Sequence, residues 1–126
     1  MSDRRLVVFA ALNLIIAVGA GAFGSHGLRQ ILSAGDLEIW HIAVLYQMVH
    51  ALGLLAIASL LPRFDCRALR LAGPVMLGGI AFFSGSLYVL VLTNTRILGA
   101  ITPIGGTLFL IAWGLVAWAA LRTPRA

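Results

Sequence analysis

Apolar residues run almost unbroken through four stretches of the chain: Leu6–Gly24, Ile39–Leu61, Leu71–Leu92 and Ile97–Leu121. No charged residue falls inside any of them. A helix needs about 20 apolar residues to cross the roughly 30 Å of bilayer hydrocarbon. The runs hold 19, 23, 22 and 25 residues, so each is long enough. Unpaired backbone groups in lipid force a crossing segment into a helix or a closed barrel. Continuous apolarity is not the alternation of a barrel strand. The pattern therefore predicts an all-α integral membrane protein, a bundle of four transmembrane helices forming one membrane domain over residues 1–126.

Two local features modify this outline. Within the fourth run stands Thr102-Pro103-Ile104-Gly105-Gly106. A proline inside a continuous helix loses a backbone hydrogen bond and kinks the chain. Either the helix over 97–121 is kinked near Pro103, or Thr102 caps a shorter helix over 103–121 with Pro103 in its first position. The start of the chain also has the charged, apolar and small-residue regions of a signal peptide, ending Ala20-Gly21-Ala22. A 19-residue run is long for such a segment, and we read it as a retained span.

Composition agrees with lipid as solvent. The chain is 61% hydrophobic, with nine arginines, no lysine and four acidic residues. A soluble domain carries about 25% charged residues, and this chain has 10%. The net charge of +5 would suggest a nucleic-acid partner in a soluble protein. Here the arginines flank apolar runs without a basic face or stacking aromatics, so no nucleic-acid partner is expected. Arg4, Arg5, Arg63, Arg67, Arg70, Arg122 and Arg125 belong to the two termini and the middle connection, while only Arg29 and Arg96 belong to the other two. By the positive-inside rule both termini are cytoplasmic. The single Cys66 has no intrachain partner, and no Cys/His spacing suggests a metal site.

The chemistry that remains lies in polar residues inside the spans. On the second helix Tyr46, Gln47 and His50 share a face within an arc of about 100°. His50 lies near the bilayer centre, where an ionisable residue is a functional candidate because a charge there costs several kcal/mol. The same residues could instead form a neutral network that fixes packing. Ser84 and Tyr88 lie one turn apart on the third helix, with Ser84 at a depth to meet His50. Together Tyr46, Gln47, His50, Ser84 and Tyr88 are a candidate polar intramembrane network. Asn13, within the first run, should hydrogen-bond to a neighbouring helix. No acid completes a catalytic triad and no Gly-x-Ser-x-Gly elbow occurs, so no catalytic residue is assigned.

A second candidate site gathers at the outer end: Ser25, His26, Asp36 and Thr102. The His26 imidazole could pair with Asp36 or Glu38, or bind a ligand headgroup. Small residues at four-residue spacing let helices approach closely in lipid. Ala17, Gly21 and Gly24 on the first helix, and Gly78, Ala81 and Gly85 on the third, are the expected packing surfaces, within the chain or in a homo-oligomer.

At four strings the sequence resembles the YgdD/YwdK family of small membrane proteins (domain of unknown function number 423). They are Gly21-Ala22-Phe23-Gly24-Ser25-His26-Gly27-Leu28, Tyr46-Gln47-Met48-Val49-His50, Phe83-Ser84-Gly85-Ser86-Leu87-Tyr88 and Thr102-Pro103-Ile104-Gly105-Gly106. Ser25 stands where the family usually has Ala. The resemblance implies a four-helix protein of the bacterial inner (plasma) membrane with its first helix kept. It implies no biochemical activity.

These features point to a non-enzymatic accessory or lipid-interacting bundle whose expected partners are the bilayer and a second copy or another membrane protein. The alternative is a small transporter or permease using Gln47, His50, Ser84 and the broken fourth helix. No cofactor is expected. Haem ligation needs two histidines at one depth, and His50 lies about 13 Å along the helix from His41.

Overall fold

The computed structural model describes residues 2–124, which form helices and connecting turns and, among the described residues, no strand. Arg125, counted above with the cytoplasmic arginines, lies outside the described residues. The first crossing is α1 (Asp3–His26) and the second is α2 (Ala34–Leu60). The third is built from α3 (Arg67–Ile80), a π turn (Ala81–Gly85) and α4 (Ser86–Thr93). The fourth is a 3-10 turn (Arg96–Ala100) followed by α5 (Thr102–Arg122). All four crossings are long and apolar enough to span a membrane.

The helices outrun the apolar stretches because polar residues cap them. Ser2 Oγ accepts a hydrogen bond from the Arg5 amide at 3.3 Å, with Asp3 in the first turn of α1. Ser33 Oγ accepts from the Asp36 amide at 3.1 Å at the start of α2. Each side chain satisfies an amide that has no partner within its helix. Asn94, at φ 55°, ends α4 in the left-handed conformation that asparagine tolerates.

Two elements differ from a reading in which each run is one regular helix. Pro74 lies inside α3, where it forfeits its bond to the Arg70 carbonyl. The π turn then widens the third crossing, and Ser84 and Ser86 both turn inward. In a regular α-helix residues two apart lie about 200° apart. The fourth crossing passes from 3-10 to α geometry at Ile101. Thr102 is not the cap of α5: no side chain caps that terminus, and Thr102 is the first helical residue with Pro103 behind it. Its Oγ1 lies 2.7 Å from Ser86 Oγ and 3.4 Å from the Leu98 carbonyl oxygen. Proline is tolerated in this first turn because its missing amide would have no helical partner.

Helix α1 packs mainly on α2, and α3 mainly on α5, leaving α2 and the third crossing central. Ala17 is fully buried. A Cβ at Gly21 would lie 3.3 Å from Val44 Cγ1, and one at Gly24 would lie 2.7 Å from Trp40 Nε1. On the third crossing the close approach falls at residues other than those expected from the small-residue pattern. Gly78 meets only Leu108, at 3.4 Å, Ala81 is exposed, and a Cβ at Gly85 would have nothing within 4 Å. Contact is made instead by Gly79 on the third crossing and by Gly105 on the facing α5. A Cβ on Gly105 would press on the backbone of Phe82 and Phe83 in the π turn.

Burial divides the interior into two apolar clusters. One, toward the end that carries the chain termini, includes Leu6, Leu54, Ile57, Leu69 and Met76. The other, toward the opposite end, includes Leu28, Trp40, Val44, Leu90 and Val91. Between them lie Asn13, Gln47, His50 and Ser84. Ion pairs tie the connections. At one end Arg96 binds both Asp36 carboxylate oxygens, at 2.9 and 3.0 Å, and reaches Asn94 Oδ1. At the other, Arg70 binds both oxygens of Asp65, at 2.7 and 2.8 Å. Hydrogen bonds from that guanidinium, with its charge, hold the Asp65 carboxyl below the usual carboxylate range.

Candidate functional site

The layer between the two clusters contains the polar residues expected from the sequence, divided into three separate arrangements. The first is a hydrogen-bonded chain across three helices. Tyr88 Oη donates to Gln47 Oε1 at 2.8 Å, Gln47 Nε2 donates to Asn13 Oδ1 at 3.0 Å, and Asn13 Nδ2 donates to the Phe9 carbonyl at 2.8 Å. Asn13 thus meets a neighbouring helix, as its place in an apolar run requires. Gln47 is fourteenth of the 27 residues of α2, at the helix midpoint, and only 4% exposed. Trp40 packs on Tyr88 with ring centroids 4.7 Å apart, and its Nε1 donates to the Ala20 carbonyl at 2.8 Å.

The second arrangement surrounds His50. Its Nδ1 lies 2.8 Å from the Tyr46 carbonyl oxygen, which can only accept, so Nδ1 carries a proton. The imidazole stacks on Phe109 at 3.5 Å and 10°, with Trp113 at 5.8 Å. Tyr46 stands at the rim of this cluster, 40% exposed, its ring 4.5 Å from Phe83. His50 therefore sits among aromatic rings and makes no hydrogen bond to Gln47 or Ser84. The third arrangement is Ser84, fully buried, whose Oγ donates to the Ala43 carbonyl at 2.7 Å. One network through all five residues is not formed. The π turn directs Ser84 at the α2 backbone, and the histidine ring is taken up by aromatic packing.

The outer-end candidates are not assembled either. Asp36 is occupied by Arg96 and not by His26. Ser25 and His26 are exposed at the end of α1. Thr102 faces inward to Ser86, because α5 begins on that residue.

Beside the hydrogen-bonded chain lies a groove of about 270 Å3 lined by Asn13, Ile16, Gln47, Leu77, Ile80, Ala81, Gly85 and Tyr88. Ala81 and Gly85 form part of its wall, and a Cβ at Gly85 would meet open space. Asn13, Ile16, Leu77 and Ile80 were not among the site residues expected from sequence. Asn13 had a visible signal, as the single amide in α1's apolar run, whereas Ile16 and Leu77 resemble every other lipid-facing aliphatic. Among the described residues no group of His, Cys, Asp or Glu could hold a metal ion. The groove contains no nucleophile–base pair. It offers a neutral polar floor with apolar walls.

The sequence profile of the family described as "Protein of unknown function (DUF423)" matches residues 20–106. A UPF0382 membrane protein of Staphylococcus epidermidis is 51% identical over 119 residues, covering 94% of this chain and 97% of that protein. The UPF0382 membrane protein YwdK of Bacillus subtilis is 44% identical over 120 residues, covering 94% and 98%. No solved structure matches the chain.

Proposed function

Because the chain belongs to the DUF423 family, whose UPF0382 relatives are bacterial membrane proteins, we propose that it is a non-enzymatic lipid-interacting bundle whose working site is the groove over Gln47. One observation carries the reading: a hydrogen-bonded polar chain at the midpoint of α2 lines a groove of about 270 Å3, although Gln47 itself is nearly buried. Polar groups at that depth are costly unless they are partnered. A molecule drawn from the bilayer could rest its polar atoms on Asn13, Gln47 and Tyr88 and keep its apolar part against Ile16 and Leu77. In this reading the protein lies in the bacterial inner membrane with both termini in the cytoplasm, as the arginine distribution favours.

The competing reading is a permease working through Gln47, His50 and Ser84. It draws less support, since neither His50 nor Ser84 lines the groove. A steric test separates groove occupancy from nonspecific lipid adhesion. Gly85→Leu adds a branched side chain at a position that lines the groove and where a Cβ has nothing within 4 Å. Native mass spectrometry from mild detergent should show a bilayer-derived molecule retained by the wild-type protein and lost from G85L at unchanged helicity. Equal retention by both would remove the groove from the account.

A further inference from the structure

We infer that the groove takes an uncharged lipophile, held through a carbonyl or hydroxyl oxygen, and rejects charged lipid headgroups. This rests on the groove being the working site, and adds the chemistry of what enters it. A glutamine side chain has two amide hydrogens and a carbonyl oxygen with two lone pairs. Gln47 uses one hydrogen on Asn13 and accepts one hydrogen bond, from Tyr88. Asn13 likewise uses one amide hydrogen, on Phe9, and accepts one bond, from Gln47. Tyr88 Oη donates to Gln47 and keeps its oxygen free to accept. The floor therefore retains two N–H donors and a phenolic acceptor, a set that a carbonyl oxygen or a hydroxyl satisfies directly.

Charge and size narrow the class. No residue lining the groove is charged. All thirteen charged residues lie outside the apolar runs, so a phosphate or ammonium at the depth of Gln47 would lose its water without gaining a counter-charge. A neutral carbonyl loses far less and recovers it in one or two hydrogen bonds. The groove's volume is about 270 Å3. That suits a quinone ring or the ester and hydroxyl head of a diacylglycerol while the hydrocarbon tails stay in the bilayer.

The test uses the full chain in phosphatidylcholine vesicles carrying equal amounts of three probes: decylbenzoquinone, dioctanoylglycerol and dioctanoylphosphatidylglycerol. Native mass spectrometry after mild extraction counts what stays bound. The wild-type protein should retain one neutral probe per chain, and the ratio of quinone to diacylglycerol shows which source of the carbonyl fits better. Gln47→Met keeps the side-chain volume and removes the amide, and should lower neutral retention about tenfold, the loss of roughly one to two hydrogen bonds. Retention of the phosphatidylglycerol should not change. Tyr88→Phe, which removes a single hydroxyl, supplies a second variant, with helicity as the folding control for both. If only phosphatidylglycerol binding depends on Gln47, the groove stands and the ligand class is overturned. Equal losses of neutral and charged probes also overturn the class. If neither variant alters any probe and G85L is equally silent, the groove itself fails as the working site.

Discussion

Gly105→Ala should destabilise the protein by about 3 kcal/mol, at or above the usual upper range for overpacking. The added methyl would lie 2.7 Å from Phe83 Cα and from the Phe82 carbonyl carbon, and closer still to the Phe83 amide nitrogen. These are backbone atoms of the π turn, which cannot change rotamer as a flexible side chain can. Relief requires α5 to move away from the third crossing, which would also separate Ser86 from Thr102. Gly114→Ala is the matched control on the same helix, since a Cβ there meets nothing within 4 Å. It should leave stability unchanged or slightly raised, because alanine is the better helix former. Unfolding in mixed micelles with rising dodecyl sulfate, followed by helicity, measures both.

The second large effect is expected at Phe109, which is 4% exposed and stacked on His50. In a water-soluble core Phe→Ala costs roughly 3–5 kcal/mol, combining lost transfer energy with the cavity left behind. In a bilayer the separated helix is also in apolar surroundings, so the transfer share largely disappears. The cavity share remains, and with it the lost stacking against His50 and Tyr46 and the tilted contact with Phe83. Phe109→Ala should therefore cost about 2 kcal/mol. Phe82→Ala, at a side chain 46% exposed, should change stability little. Equal effects at the two positions would show that the ring stack around His50 is not a packed core.

The crossings were legible in the sequence because the bilayer imposes a length and an apolarity that no connecting segment imitates. Helix ends were less so: Ser2 and Ser33 extend α1 and α2 beyond the apolar runs through hydrogen bonds that hydropathy does not register. The π turn left no signal in the pattern. Its Ala-Phe-Phe-Ser-Gly string reads as ordinary apolar helix, and its consequence, two serines turned inward, depends on backbone geometry. The polar residues stand out within apolar runs, but their grouping was not predictable. Helical phase places Gln47 and His50 on one face, yet a few tens of degrees decide that one meets Asn13 and the other Phe109. The small residues carried a similar ambiguity. Gly24 brings helices together, whereas Gly85 holds a space open, and spacing along the chain is blind to that difference.

Solid-state NMR in bilayers addresses the central claim, that the polar groove faces lipid while His50 does not. Labelling glutamine with 15N marks only Gln30 and Gln47, and labelling histidine marks three rings, of which His50 alone is buried. Both side chains are nearly buried, but only Gln47 lines the groove, so magnetisation started on lipid acyl-chain protons should reach the side-chain amide of Gln47 sooner than the ring of His50. A silent Gln47 amide, together with a His50 ring that exchanges magnetisation with water, would contradict the account and favour a path through the bundle.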